Sequence, residues 1–318
     1  MPKPLVIQTE HLDETAAAWL RERCDVQNVS YDDQPAFTQA LAHAAGLVIR
    51  TYTKVNADLL AKAPGLKVVG RAGVGLDNVD LAACAKRGIA VVSTPDANTR
   101  AVIEYVWALL LDATRPRAFL EGPLEPARWR EVREEFKAAR QLCQLTLGIY
   151  GCGRIGSGMA RVAQAMNVRA VYHDLRQIPA QERWGAQPVT REQLLEESDA
   201  ITVHVDGRKS NAGLIDADAF GRMKGDVIFV NSSRGFVVEN HALAEFMIAN
   251  PGACAMLDVH EPEPFDATYP LLEIPNVHLA PHIASATDLA HANMSWVVKD
   301  VWRVLSGEKP EFPAAGAE

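Results

Sequence analysis

The sequence has few features of a secreted, membrane-embedded or metal-binding protein. Its five cysteines form no C-x-x-C pair and no metal-site spacing, which predicts reduced and mostly buried thiols. No apolar run approaches the roughly 20 residues of a membrane-spanning helix. The first apolar run, "LVIQT" at 5–9, is too short for the core of a signal peptide. We therefore expect a cytoplasmic protein that does not associate with membranes.

Clustered positive charge and metal-binding patterns are also missing. The formal net charge is −8, and the 32 lysines and arginines are scattered along the chain. A nucleic-acid-binding protein needs a basic face, so no nucleic-acid partner is predicted. His278 and His282 have the four-residue spacing of metal ligands on a helix, but the "LAP" between them is not helical. No metal site is predicted.

Short apolar runs that alternate with helical segments are what the sequence has instead. The first third contains five such runs, at 5–9, 26–30, 46–50, 66–70 and 89–93. From Leu145 a second series contains six, at 145–151, 169–174, 200–205, 226–233, 253–259 and 277–281. Runs of this kind suit strands that are buried on both faces of a parallel sheet. Six strands with helical crossovers are what a dinucleotide-binding sheet of two halves requires.

These two series predict the fold class and the domains. We expect an α/β protein with two Rossmann-like or flavodoxin-like doubly wound parallel-sheet domains and a cleft between them. The substrate domain is predicted at 1–97 plus 286–318, because a single amphipathic helix from about 285 to 307 is expected to return to it. The NAD-binding domain is predicted at 98–285. Residues 117–144 are either a dimer arm or a loop.

The second of two glycine-rich loops has the features of a dinucleotide site. Gly151, Gly153 and Gly156 form G-x-G-x-x-G directly after a predicted strand and before a helix. Such glycines permit a tight turn, a close approach to pyrophosphate and close helix–strand packing. Asp174 ends the next strand 18 residues later, where an acid binds ribose hydroxyls and repels a 2′-phosphate. NAD is therefore favoured over NADP, although Arg176 is near enough in sequence to soften this exclusion. The alternative is a glycine turn with a chance acid.

The first glycine-rich loop, "GRAGVG" at 70–75, lacks that acidic partner. The next predicted strand ends at Ser93, Thr94 and Pro95. The loop is therefore a poor dinucleotide site, but its backbone N–H groups could cradle a smaller anion such as a carboxylate. The spacing fits an ordinary strand–helix turn equally well.

Taken together, the motifs resemble one known family. "GCGRIG", "NSSRG", "DVHEPEP" and "LAPHIAS", in this order and spacing, resemble the NAD-dependent D-2-hydroxyacid dehydrogenases. "VIRTYTKVNADLL", "VVGRAGVGLDNVDL" and "TPDANTRAVIEYV" look closest to its short phosphoglycerate-dehydrogenase-like branch. The resemblance implies that Arg234 binds the substrate carboxylate and carbonyl oxygen. It further implies that Glu263 pairs with the catalytic histidine and that His282 is the general acid/base.

The resemblance also implies two sets of binding residues. Asp258 is expected to hold the nicotinamide carboxamide, and the backbone at Val74 and Gly75 to clamp the substrate carboxylate. The cofactor-binding residues are expected to be Gly151, Gly153, Arg154, Ile155, Gly156, Asp174, His204, Val205, Ser232, Ser233, Asp258, His282 and Ala284. The substrate-binding residues are expected to be Arg50, Thr51, Arg71, Val74, Gly75, Asn98, Arg234 and His282.

These residue types suit hydride transfer. Oxidation of a C–OH group requires loss of its proton as hydride leaves the same carbon, and histidine titrates near neutral pH. A neighbouring Glu263 would favour the imidazolium and orient the ring. Arg234 can hold a carboxylate bidentately. We therefore expect a homodimeric NAD(H)-dependent oxidoreductase that interconverts a D-2-hydroxy acid and its 2-keto acid.

The identity of the acid is open at this stage. Arg50 and Arg71 favour a 3-phosphoglycerate-like substrate, and hydroxypyruvate or glyoxylate reduction is the alternative. An NAD-sensing interaction protein of the same fold is a further alternative. Three places depart from the family pattern. "HVDGRKSN" at 204–211 replaces a proline-containing turn, His260 occupies a place that is often aromatic, and "RQLCQLTLG" at 140–148 lacks the glycine-lysine usual before the strand.

Overall fold

The computed structural model describes residues 2–115, 117–137 and 140–314. The chain divides into two compact units, one within Met1–Asn98 and Ser285–Glu318 and the other within Thr99–Ala284. Residue 1 and residues 315–318, which the predicted substrate domain includes, lie outside the described residues. In the described part of the chain, no helix combines the length and the apolar character needed to cross a membrane.

The first unit is built on a five-stranded parallel sheet. Its strands are β1 (Leu5–Gln8), β2 (Asp25–Asn28), β3 (Gly46–Ile49), β4 (Val68–Arg71) and β5 (Ala90–Val92), in the flavodoxin-like order β2-β1-β3-β4-β5. Helices α1 (Glu14–Arg21), α2 (Gln34–Leu41), α3 (Ala57–Ala61) and α4 (Leu81–Lys86) connect them. Each helix begins after an Asp or Asn whose side chain accepts an N–H of the first turn: Asp13, Asp33, Asn56 and Asp80.

The second unit is built on a seven-stranded parallel sheet. The strands are β6 (Thr146–Tyr150), β7 (Arg169–His173), β8 (Gln187–Pro188), β9 (Ala200–Val203), β10 (Ile228–Asn231), β11 (Cys254–Leu257) and β12 (Val277–Leu279). The helices are α5 (Thr99–Thr114), α6 (Pro126–Glu135), α7 (Arg154–Ala165), α8 (Arg191–Glu197), α9 (Ala217–Arg222) and α10 (Asn240–Ala249). The order β12-β11-β10-β9-β6-β7-β8 is that of a Rossmann sheet with one further strand at β12.

The expectation of six strands in this sheet is wrong by one strand. The missed element, β8, pairs with β7 over only two residues, Gln187 and Pro188, and both are exposed. It therefore has no apolar run by which a buried strand can be recognised in a sequence.

The closing segment forms two helices, so the expected single helix from 285 to 307 is also wrong. Helix α11 (Asp288–Ser295) ends in a tight turn, and α12 (Val298–Ser306) follows it. The hydroxyl of Ser295 donates to the His291 carbonyl and accepts the Asp13 N–H, which ties the end of α11 to the start of α1. Val301 of α12 lies against Gly70 of β4, where a side chain would overlap it.

Both faces of the second sheet carry a hydrophobic core. On one face Ile103 of α5 and Met159 of α7 are buried together, and the missing side chain of Gly158 admits Ile103. On the other face Phe220 and Leu243 are buried. Because the strands are parallel, their carboxyl ends meet at one edge of the sheet, where ligands bind in folds of this kind. Residues that directly follow the strands at this edge are Gly151, Asp174, His204, Ser232, Asp258 and Ala280.

Candidate active site

The glycine loop after β6 has the close backbone contacts of a dinucleotide site. Gly151 adopts a left-handed φ of 91°, and a Cβ there would lie 2.8 Å from the His204 carbonyl oxygen. A Cβ at Gly156 would overlap the Gly151 carbonyl oxygen. At Gly153 the nearest atom to a Cβ is Arg176 Nη2, at 3.8 Å, so the backbone at the start of α7 is open. The loop therefore fits a pyrophosphate at a helix N-terminus.

Asp174 lies at the end of β7 beside this loop. Its Oδ2 accepts the Cys152 N–H at 2.8 Å, and its Oδ1 accepts the Arg176 N–H at 2.8 Å and Arg176 Nε at 3.3 Å. Burial alone would raise the pKa of Asp174, but these hydrogen bonds outweigh it and hold the pKa below its usual 3.8. A cavity of about 400 Å³ adjoins Asp174 and is also lined by Ile178 and Arg183. An ionised acid beside such a cavity fits an adenosine ribose.

His204 and Val205 follow β9 and approach the glycine loop through the backbone. The His204 carbonyl is the group that leaves no space for a side chain at Gly151. Both ring nitrogens of His204 are buried without a hydrogen-bond partner among the described residues, and burial lowers the pKa of this imidazole to about 3. The ring is therefore neutral near pH 7.

Arg234 is presented by a turn that Asn231 shapes. The Asn231 side chain accepts the Ser233 N–H at 3.0 Å and hydroxyl at 2.8 Å, and it donates to the Arg234 carbonyl at 2.9 Å. The Ser232 hydroxyl is buried without a hydrogen-bond partner among the described residues, so it is available to bind a ligand. Sequence reasoning missed Asn231, although an amide that ends a strand before "SSRG" is a visible signal.

Glu263 and His282 are in direct contact. His282 Nδ1 lies 2.9 Å from Glu263 Oε2, and the other carboxylate oxygen accepts the His260 N–H at 2.7 Å. Burial alone would raise the pKa of Glu263, but the hydrogen bonds from His282 and His260 outweigh it and lower the pKa. The side chains are 43% and 34% exposed for His282 and Glu263, so a substrate can reach them. Since Nδ1 is engaged, proton exchange falls to Nε2.

The backbone around His282 is held in an uncommon conformation. His282 has a φ of 56°, in the left-handed region, and its N–H donates to the Ala280 carbonyl at 3.0 Å. Beyond it, the N–H groups of Ile283 and Ala284 donate to the two carboxylate oxygens of Asp258, each at 2.8 Å. Asp258 is fully buried, and burial raises its pKa. Asp258 therefore fixes this loop, and its contact with the nicotinamide carboxamide stays a prediction.

In the first unit, the predicted substrate residues Arg50 and Thr51 belong to a loop that Glu10 holds. The Glu10 carboxylate accepts the N–H groups of Arg50 at 2.9 Å and of Thr51 at 2.8 Å, and those of residues 52 and 53 at 3.2 and 3.4 Å. The Asn78 side chain donates to the carbonyls of Arg50 and Thr53 at 3.1 and 2.8 Å. Sequence reasoning missed Glu10 and Asn78, because their partners are distant in the chain.

The other predicted substrate residues of the first unit are Arg71, which ends β4, Val74 and Gly75, which come after it, and Asn98. The Arg71 guanidinium lies against Gly73, which has a φ of 146° and where a Cβ would overlap the guanidinium. The turn continues through Val74 and Gly75, and the Gly73 carbonyl accepts the Thr94 N–H at 3.1 Å. Asn98 is the last residue of the unit before α5. Across the described residues, no group of three or more His, Cys, Asp or Glu is placed to hold a metal ion.

Comparisons with known proteins add the following similarities. The profile described as "D-isomer specific 2-hydroxyacid dehydrogenase, NAD binding domain" matches residues 107–284. The chain is 34% identical over 305 residues to D-3-phosphoglycerate dehydrogenase of Archaeoglobus fulgidus, covering 95% of this chain and 57% of that protein. It is 32% identical over 323 residues to glyoxylate reductase of Thermofilum pendens, covering 98% and 94%.

Among solved structures, it is similar to the NADPH-dependent glyoxylate/hydroxypyruvate reductase of Sinorhizobium meliloti in complex with NADP and malonate. The identity is 29% and the TM-score 0.84, and 99% of this chain and 98% of that chain are covered. This chain thus spans little more than half the length of the phosphoglycerate dehydrogenase and nearly all of the two reductases.

Proposed function

Because the chain belongs to the family of D-isomer-specific 2-hydroxyacid dehydrogenases, we propose that it interconverts a D-2-hydroxy acid and its 2-keto acid with NAD(H). Bound NAD(H) supplies the hydride acceptor or donor. The observation that carries the proposal is the 2.9 Å contact between His282 and Glu263 at the carboxyl edge of the second sheet. A histidine oriented by a carboxylate is suited to exchange a proton at neutral pH.

The chain's residues divide the work as follows. His282 Nε2 accepts the hydroxyl proton during oxidation and returns it during reduction, while Glu263 stabilises the imidazolium. Arg234 binds the carboxylate and polarises the carbonyl oxygen of the substrate. Gly151–Gly156 and Asp174 bind the dinucleotide, and the backbone at Val74 and Gly75 clamps the carboxylate.

For the substrate, we favour a 3-phosphoglycerate-like acid. Arg50 and Arg71 bring positive charge to the two loops of the first unit that we assign to substrate binding, and the phosphoglycerate dehydrogenase of Archaeoglobus fulgidus is a relative. Hydroxypyruvate or glyoxylate is the second candidate, which the similarity to glyoxylate reductase of Thermofilum pendens favours. Turnover of a panel of D-2-hydroxy and 2-keto acids with NAD(H) distinguishes them. If NAD binds tightly and no acid reacts, an NAD-sensing interaction protein becomes the better reading.

His282→Ala tests the central role. We expect turnover to fall below detection while the NADH dissociation constant, measured by fluorescence titration, stays within about twofold of wild type. His241→Ala is the matched control, since His241 is exposed on α10. Equal losses of turnover and NADH affinity in His282→Ala would contradict the assignment.

We further propose a homodimer in the cytoplasm. All five cysteines are free thiols, which suits a reducing compartment. Residues 117–137 expose large apolar side chains, of which Phe119 is 82% exposed and Trp129 48%. Exposed apolar side chains grouped in one segment are typical of a protein–protein contact.

A further inference from the structure

We propose that His260 is the positioning residue that holds the acid–base pair in its working geometry. The proposal rests on the function proposed above. Four hydrogen bonds form a closed ring through His260, Glu263, His282 and Ala280. The His260 N–H donates to Glu263 Oε1 at 2.7 Å, and Glu263 Oε2 contacts His282 Nδ1 at 2.9 Å. The His282 N–H donates to the Ala280 carbonyl at 3.0 Å, and His260 Nε2 lies 2.8 Å from the same oxygen. His260 thus holds both members of the pair.

The hydrogen-bond partners of the His260 imidazole determine which of its nitrogens carries the hydrogen. The Ala280 carbonyl can only accept, so His260 Nε2 carries the hydrogen and donates it. The Tyr269 hydroxyl lies 3.3 Å from His260 Nδ1 and also donates to Asn240 Oδ1 at 3.4 Å. Burial raises the pKa of Tyr269 to about 12, so this hydroxyl keeps its proton at neutral pH. Each ring nitrogen of His260 therefore has a polar group within hydrogen-bond distance.

Packing fixes the His260 ring where these bonds require it. The residue is 5% exposed. Its ring meets Phe265 and Tyr269 edge to face, with centroid distances of 4.8 and 5.6 Å. A Cβ at Gly235 would overlap the His260 backbone, so the residue after Arg234 also rests on it. His260 therefore touches the segments that carry Arg234, Glu263 and His282.

The imidazole of His260 contributes a hydrogen bond in addition to its packing contacts. An aromatic side chain without nitrogen would keep the contacts with Phe265 and Tyr269 but lose the bond to the Ala280 carbonyl. That carbonyl also restrains His282, whose left-handed φ of 56° needs support from its surroundings. Loss of the bond should therefore loosen the His282–Glu263 contact and leave the glycine loop and Asp174 unchanged.

The test compares His260→Phe with His260→Gln in the full chain. Phenylalanine keeps the ring packing, whereas glutamine keeps an N–H donor at about the position of Nε2. We expect kcat to fall at least about tenfold in His260→Phe, with NADH affinity unchanged, and to recover most of the way in His260→Gln. His278→Phe, at an exposed position two residues before Ala280, is the matched control.

The pH profile of kcat/KM is the readout that a purely structural role would not move. Asp258, His260 and Tyr269 are titratable groups that interact electrostatically with the pair. When the Glu263–His282 contact is weakened, Glu263 stabilises the imidazolium of His282 less. The limb of the pH profile that reports this proton therefore moves to lower pH in His260→Phe. An unchanged profile, or equal damage in both variants, would overturn the proposal.

A measurement without turnover separates this proposal from the proposed function. The imidazole of His282 is titrated by NMR, and its signal is identified by its loss in His282→Ala. The midpoint should move to lower pH in His260→Phe and return in His260→Gln. If wild type turns over no acid, the proposed function fails, and this titration still decides the role of His260.

If His260→Phe does not fold, His260→Gln and Tyr269→Phe are compared. Wild-type behaviour of Gln together with a shifted midpoint in Tyr269→Phe supports the proposal, and an unshifted midpoint in Tyr269→Phe overturns it.

Discussion

At the residue scale, we propose that the carboxylate of Asp174 sets the preference between NAD and NADP. We expect Asp174→Ala to weaken NADH binding about tenfold, because hydrogen bonds from the ribose hydroxyls to a charged acceptor are lost. NADPH should bind relatively better, since the repulsion of the 2′-phosphate disappears and Arg176 loses the carboxylate that pairs with it. Fluorescence titration with both dinucleotides measures the two constants. Asp226→Ala, at the amino end of β10, is the control.

The sign of the pH effect follows from the lowered pKa of Asp174. A carboxyl group with a pKa below 3.8 stays ionised from about pH 5 to about pH 8. Over this pH range, Asp174 should therefore cause no change in the wild-type ratio of NADH affinity to NADPH affinity. A ratio that is the same in wild type and Asp174→Ala would refute the assignment of Asp174.

Residues whose role lies in a recurring motif could be anticipated from the sequence, and residues that act across the chain could not. Glu263 and His282 are 19 positions apart, and their motifs implied the contact that the structure shows. Glu10 binds backbone groups about 40 positions away, and no local pattern marks it. His260 was noticed only as a departure from the family pattern, because its hydrogen bonds depend on how two loops fold together.

At the scale of elements, the close approach of α7 to β6 leaves no space for a side chain at Gly156. A Cβ at Gly156 would overlap the Gly151 carbonyl oxygen, so Gly156→Ala must displace helix or strand. We expect a loss of about 1–3 kcal/mol in the free energy of unfolding, and weaker NADH binding. Chemical denaturation and fluorescence titration measure the two effects.

Gly221→Ala is the matched control for that substitution. Gly221 lies in α9, and a Cβ there meets no described atom within 4 Å. Since alanine is favoured over glycine in a helix, this variant should gain up to about 1 kcal/mol. If Gly156→Ala were as stable as wild type and bound NADH equally well, neither stability nor NADH binding would depend on the close approach of α7 to β6.

Strong apolar runs allowed most elements to be predicted, and weak or interrupted ones did not. Every predicted strand is present, and runs 46–50 and 226–233 coincide with strands that are fully buried. The expectation of burial on both faces is wrong for β2, which is mostly exposed. β8 was missed because two exposed residues carry no periodic signal. The final helix was predicted as continuous because its amphipathic pattern runs through the break, which the bonds of Ser295 stabilise.

At the scale of the whole molecule, the proposed dimer can be tested through residues 117–137. Helix α6 buries none of its side chains in the single chain. Light scattering should give about twice the chain mass of 34.7 kDa. Phe119→Ser combined with Trp129→Ser should shift this towards the monomer, because apolar area is lost from the contact. Ile248→Ser is the control, since Ile248 is 69% exposed on α10. A wild-type monomer would refute the dimer.

The short strand β8 has a consequence for how chains can join. It forms one border of the seven-stranded sheet, and its second residue is Pro188. Proline has no backbone N–H, and a border of two residues provides too few bonds to template a further strand. This border therefore disfavours the edge-to-edge pairing by which sheets of separate chains can aggregate.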